Sequence, residues 1–358
     1  MKKFLVVFSA LLALASCAPP ATQVGIVLPT KDEERWIQDQ TRFQDALKTA
    51  GVSAEVLFSE KDPAKEKANV ETLVTKGIKV LVLCPVDSAA AAAAADAAAK
   101  AGVKVVAYDR LITGTKNVDF YVTFDSFSVG AAWGNFLVSQ AKGKGNNLYL
   151  YAGAASDNNA FIFFAGAWSV LQPKIADGTF VIVNSDAAVA LEKKAELSRD
   201  EEASIIGQVT TNWNPNDAKS KAESHLTKAT KKQKGVAFVL SPNDQTARAI
   251  ADVFAKDKDI TKAYTTGQDA DKASIQYIID GKQSMTVLKD TRVLVADAIK
   301  TAITFAKGGV PEQTKTYNNG VIDVPAKPSD VTSVTQDNVK AAIVDSGYYP
   351  ASDFTNLK

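Results

Sequence analysis

Histidine and sulfur are nearly absent from this 358-residue chain, which has one His, two Cys and two Met. A zinc cluster or a Cys/His or Ser/His/Asp catalytic set is therefore hard to assemble, although a carboxylate enzyme is not excluded. His225 falls in a charged amphipathic helix, AESHLTKATKK, and reads as an ordinary surface residue. An excess of charge is also missing. With 41 basic against 40 acidic residues, an electrostatically driven nucleic-acid binder does not fit, and 46% hydrophobic residues argue against disorder. Neither G-x-G-x-x-G nor G-x-x-x-x-G-K-[ST] follows the first strand, so no phosphate loop is in place.

Long apolar runs are scarce too. The run FLVVFSALLALA follows Lys2 and Lys3 and is too short to span a bilayer; residues 1–16 have the layout of a secretory signal. Leu14-Ala15-Ser16-Cys17 resembles the lipobox of bacterial lipoproteins, which implies cleavage before Cys17, lipid on that cysteine and residues 17–23 as a short tether. Loss of Lys2 and Lys3 leaves 39 basic against 40 acidic residues and no polybasic membrane patch. Cys84, in the run Val80 to Cys84, reads as a buried strand thiol with no disulfide partner.

What is present is an alternation of strands and helices. At roughly 150 residues per domain, two domains are expected. Strands at Val24 to Leu28, Val52 to Phe58, Val80 to Cys84 and Val103 to Tyr108 alternate with helices at Glu34 to Ala50, Pro63 to Thr75 and Ser88 to Ala101. The alanine run in the last of these is a good helix former. A second cycle begins near Phe127 and continues to a long helix from Thr291 to Lys307. This is an α/β chain with two parallel sheets, each covered by helices on both faces. The charged stretch Ala187 to Gly207 reads as a solvated surface insertion.

In such sheets ligands bind beyond the carboxyl ends of the strands. Arg35 and Trp36, Asp109 and Arg110, Asp157, Asn158 and Asn159, Asn243, Asp269 and Lys289 all fall there. Taken singly, each has a bland explanation as a cap, a turn or a salt bridge. Together they set three carboxylates (Asp109, Asp157, Asp269) against three cations (Arg35, Arg110, Lys289), with amides and a tryptophan nearby. A balanced set suits a neutral polyhydroxyl ligand, whose hydroxyls donate and accept at once, and flat indole faces suit the C–H side of a pyranose. An anionic ligand would require surplus cations.

Several short motifs occur in order along the chain: Glu34-Arg35-Trp36, Val74-Thr-Lys-Gly77, Ala107-Tyr-Asp-Arg-Leu111, Thr123-Phe-Asp125, Ser156-Asp-Asn-Asn-Ala160, Ser241-Pro-Asn-Asp244, Gly267-Gln-Asp-Ala270 and Lys289-Asp-Thr-Arg292. In these the chain, from about Val24 to Tyr349, resembles the type I periplasmic sugar-binding proteins of ABC transporters, in the group of D-xylose-binding and multiple-sugar-binding proteins. The resemblance implies two Rossmann-like lobes joined by a three-stranded hinge. The lobes are expected at 24–124 with 270–316 and at 125–269 with 317–358, with crossings near Phe124 to Asp125, Gln268 to Asp269 and Lys315 to Asn318. It also implies roles. Arg35 and Arg110 donate to sugar oxygens and Asp109 accepts from two hydroxyls. Asn159, with Asp157 or Asn158, bonds hydroxyls from the other lobe, Trp213 stacks on the ring, and Asn243, Asp269 and Lys289 complete the polar shell. Trp36 is a second aromatic candidate.

The expected function is a lipid-anchored, exported, monomeric receptor at the periplasm or cell surface. It would pass an aldopyranose such as glucose, galactose, xylose or arabinose to an ABC permease, without enzyme activity, cofactor, metal or nucleic acid. A sensor that shows its closed form to a chemoreceptor or sensor kinase is the alternative. A glycosidase is disfavoured, because cations around each carboxylate hold its pKa low and spoil a general acid.

Overall fold

The structure is a computed structural model that describes residues 23–357; the expectations for the signal segment, Cys17 and most of the tether lie outside the described residues. The first sheet grows from β1 (Val24–Leu28), α1 (Glu34–Ala50), β2 (Ala54–Phe58), α2 (Pro63–Thr75), β3 (Val80–Leu83), α3 (Ala92–Lys100), β4 (Lys104–Tyr108) and β5 (Phe120–Phe124). Its strands alternate strictly. Ile26, Val80, Val82, Val106 and Val122 face α1, whereas Val27, Leu81, Leu83, Val105 and Ala107 face α2 and α3. The alanine helix buries Ala94, Ala95 and Ala98, so its small side chains set a close helix–sheet distance. Cys84 is fully buried.

The second lobe contains α4 (Ser126–Gln140), β6 (Asn146–Leu150), α5 (Asn158–Ala176), β7 (Phe180–Ile182), α6 (Asp186–Ala190), α7 (Arg199–Val209), α8 (Pro215–Lys228), β8 (Gly235–Leu240), α9 (Asp244–Lys256), β9 (Ile260–Thr265), α10 (Lys272–Ile279) and β10 (Met285–Leu288). Helices α4 and α5 cross so closely that a Cβ on Gly130 would stand 1.8 Å from the Phe163 carbonyl oxygen. The chain closes with α11 (Thr291–Ala306), β11 (Lys315–Asn318), β12 (Asp323–Ser329) and β13 (Thr332–Thr335).

Strand order is β2-β1-β3-β4-β5-β12-β11 in the first sheet and β7-β6-β8-β9 in the second, with β10 joined beside the latter through a parallel Gln268–Val287 bridge and paired to β13. Both sheets share the doubly wound 2-1-3-4 order, which opens a crevice at the carboxyl edge beside the first strand of each.

Three expectations change. First, α10 and β10 pack in the second lobe: Met285 and Val287 enter its core, and Ile275 and Ile278 pack with Val334 and Ile343. The second crossing therefore lies after Leu288, not at Gln268 to Asp269, and α11, packed on the first sheet, is the next element of the first lobe. Second, β11 and β12 extend the first sheet, since β12 pairs parallel to β5. The third crossing lies at Asp330 and Val331 rather than at Lys315 to Asn318, and Val331 touches both cores. Third, the insertion is not a solvated excursion. Helix α7, started by a Ser198/Glu201 capping box, buries Ile205, Ile206 and Val209 in the second core.

Candidate functional site

The carboxyl edges of the two sheets face each other across a narrow, polar cavity. The first lobe lines it with Glu33, Arg35, Trp36, Asp109 and Arg110, the second with Asp157, Asn159, Phe163, Trp213, Asn243, Gln268 and Asp269, and the crossing after β10 adds Lys289. Ten of the eleven residues expected from the sequence thus meet in one place. Asn158 does not line the cavity, because only one of the three consecutive polar residues at the start of α5 besides its cap turns inward.

The N-terminus of α1 carries Arg35, whose guanidinium is shared among three carboxylates. It lies 3.2 Å from Asp39, 2.8 Å from Asp109 and 3.4 Å from Asp269. Trp36 donates its indole N–H to Glu33 at 3.1 Å, and its ring lies under both Arg35 and Arg110. Arg110 reaches across the cleft to Asp157 at 3.0 Å and donates to the Pro85 carbonyl. Lys289 bonds Asp269 at 2.8 Å. These groups are nearly all solvent-excluded, where an unpaired charge is expensive.

Asp109 sits just past β4 with φ of +59°, and Asp269 has φ of +97°. A non-glycine residue in the left-handed region must be held there by its surroundings. For Asp109 the holders are visible: its carbonyl accepts from the Tyr121 hydroxyl (2.8 Å), the Thr123 hydroxyl (3.0 Å) and the Asn159 amide (2.8 Å), the last from the opposite lobe. Burial alone would raise the Asp109 pKa, but Arg35, Lys289 and Arg110 together hold it down to about 2. The group is a fixed anion. Burial pushes Glu33, Asp39 and Asp157 upward against their arginine partners.

On the other side, Trp213 also has positive φ (+55°), after Asn212 at +52°, in a turn pinned by Thr211 N–H to the Ala152 carbonyl (2.8 Å) and ended by the Asn214 cap of α8. Its indole packs directly against Gly153: a Cβ there would stand 2.0 Å from a ring carbon. Phe163 meets it edge to face. Asn243 caps α9. The Trp213 indole nitrogen and the Gln268 side-chain oxygen are buried with no hydrogen-bond partner among the described residues.

The sequence reading missed Glu33, Phe163 and Gln268. It also undercounted the acids: Glu33 and Asp39 join the three expected carboxylates, and each has donors of its own, the Trp36 indole N–H for Glu33 and Arg35 with the Tyr108 hydroxyl for Asp39. Glu33 was hidden in the acidic stretch KDEERW, where nothing marks it as the buried cap of α1.

Residues 24–309 match the periplasmic binding protein domain family. The chain belongs to this family of solute-binding, non-catalytic proteins. It is 36% identical over 340 residues to the multiple sugar-binding periplasmic protein of Azospirillum brasilense, covering 92% of this chain and 90% of that one. The crystal structure of a carbohydrate transporter solute-binding protein from Chloroflexus aurantiacus, in complex with D-glucose, superposes with a TM-score of 0.93 at 66% identity, covering 94% of this chain and 98% of that chain. An ABC transporter solute-binding protein from Clostridium phytofermentans with bound β-D-glucose gives 0.81 at 30% identity, covering 94% and 100%. The fold is that of the type I periplasmic binding proteins, as the motifs implied.

Proposed function

We propose that this protein captures a monosaccharide in its pyranose form, glucose, galactose, xylose or arabinose, between its two lobes and delivers it to an ABC transporter permease, with no chemistry on the sugar. The observation that carries this reading is the paired state of the cleft. Cations and carboxylates there already satisfy one another, so an uncharged ligand with many hydroxyls can enter among them without leaving a charge unmatched. Glucose complexes of similar proteins support the sugar class.

In this reading Arg35, Arg110 and Lys289 donate to sugar oxygens, and Asp109, Asp157 and Asp269 accept from hydroxyls. Asn159 and Asn243 supply amides, and Trp213 presents a ring face. Trp36, with a guanidinium beside its ring on two sides, acts mainly by holding Arg35 and Arg110. The unpartnered Trp213 and Gln268 atoms are further points for a hydroxyl. Lobe closure around the ligand is a hinge motion at the three crossings.

Calorimetry with a panel of aldoses tests the function. A Kd on the order of 1 μM, about −8 kcal/mol, is expected for at least one; no heat from any of the four sugars refutes it. The lipid anchor rests on Leu14-Ala15-Ser16-Cys17. Fatty-acid labelling in a bacterial host that is abolished by Cys17→Ser supports it, and unlabelled protein sinks it. No helix among the described residues is long and apolar enough to cross a membrane. Light scattering is expected to give a monomer mass.

A further inference from the structure

Outside the cavity, one residue of the first lobe grips the second. The loop after β3 is held rigid from its own side: Glu66 accepts from Val86 N–H at 2.7 Å, Arg110 donates to the Pro85 carbonyl, and Asp87 accepts from Ala89 and Ala90 N–H. At its tip the buried Ser88 donates its backbone N–H to the Ser156 carbonyl at 2.9 Å, and its hydroxyl oxygen accepts from Asn158 N–H at 3.1 Å.

Asn158 opens α5, and the first amides of a helix have no partner within it. Asp157 satisfies the next one, Asn159 N–H, from its own side chain at 2.9 Å. The Asn158 amide instead takes its acceptor from the opposite lobe. Residues 156–158 are thus held at three successive points by the first lobe: Ser88 N–H, Arg110 at Asp157, and Ser88 Oγ. When the lobes part, these groups return to water.

We infer that Ser88 is a latch of the closed form, a positioning residue that sets how long a captured sugar is retained without touching the sugar. This inference rests on the proposed binding of a monosaccharide between the lobes. Because the latch joins lobe to lobe, its contribution is the same for every sugar. Removing it is expected to raise koff and leave kon and the rank order of sugars unchanged.

The test is stopped-flow tryptophan fluorescence with D-glucose and D-galactose on the full mature chain. Ser88→Ala is expected to raise koff three- to tenfold for both sugars, with kon within twofold and the affinity ratio of the two sugars preserved. Ser88→Thr, which keeps the hydroxyl, is expected to restore at least half of the lost retention, and this rescue separates the hydroxyl from a general effect of altering the loop. Unchanged koff in Ser88→Ala, a Ser88→Thr protein as leaky as the alanine variant, or a changed sugar ratio each overturns the latch while leaving the binding function intact. Absence of sugar binding by the parent protein overturns both.

Discussion

The two walls of the cleft are built from different chemistry. Among the described residues both arginines come from the first lobe, seated on α1 and beyond β4, whereas the second lobe lines the cavity with two carboxylates, three amides and two aromatic rings and with no cation of its own. Closure therefore makes ion pairs across the gap, Arg110 to Asp157 and Arg35 to Asp269, as well as contacts to anything held inside. A binding protein that must close and reopen gains from this division, because these pairs form only where the two walls meet.

The sharpest way to break the comparison is at Asp109, the one anion of the cationic wall whose pKa falls well below the normal range. Asp109→Ala strips Arg35 and Lys289 of a buried partner and is expected to weaken sugar binding at least 100-fold, a loss of about 3 kcal/mol or more. Asp109→Asn tolerates the left-handed backbone and is expected to keep the fold while losing most of the affinity. Calorimetric Kd values within tenfold of the parent for the alanine variant would remove Asp109 from the site.

The second wall is tested through a residue that touches no ligand. Gly153→Ala drives a methyl group into the space that the Trp213 indole fills, so the indole must move. The expected result is a 10- to 100-fold weaker Kd and about 1–3 kcal/mol of lost stability from overpacking. A variant that binds with unchanged affinity and unchanged tryptophan spectrum shows that the indole is not part of the recognition surface. On the same wall, Asn159→Ala is expected to cost about tenfold, since its amide ties to the Asp109 carbonyl, while Asn158→Ala stays within threefold. Equal losses would mean that α5 presents both side chains to the sugar.

How far the sequence reached differs between the walls as well. The residues of the first lobe stand directly after β1 and β4, strands whose apolar runs are unmistakable, so Arg35, Asp109 and Arg110 were legible with their setting. β5 was not: FYVTF follows a polar loop and was assigned to no element, the second cycle being placed from near Phe127. The later strands were hidden for a different reason: β12 contains Pro325 and Pro328, which normally argue against a strand inside a sheet. The hinge crossings depend on which sheet those strands join, a long-range choice that local pattern does not encode. In α7 the apolar positions Ile205, Ile206 and Val209 do have helical spacing, but the charges around them dominate the composition. Ser88 carried no signal at all, because its importance lies in where the opposite lobe comes to rest.

The smallest effect expected distinguishes the lobes by pH. In the first, Asp109 contributes stability that is complete above the unfolded pKa near 4 and is lost only as pH falls toward 2. In the second, His225 is partly buried between α8 and the sheet, with its Nδ1 3.2 Å from the Tyr151 hydroxyl and 2.9 Å from the Asn184 amide. Desolvation, reinforced by Lys221 and Lys228, lowers its pKa to about 4. The folded state then refuses a proton that the unfolded chain accepts below about 6.5, so stability falls as pH drops from 6.5 to about 4. Because the ring is partly exposed, the loss is discounted to about 1 kcal/mol, or a few degrees in Tm. Carboxyls raised to about 7, the buried Glu66 and Asp244 and the half-buried Glu202, act in the opposite sense over part of this range, so the informative quantity is the difference between parent and His225→Gln. That difference in Tm is expected to shift against the parent between pH 7 and 5. A difference that stays constant with pH would mean that His225 titrates as it does in the unfolded chain.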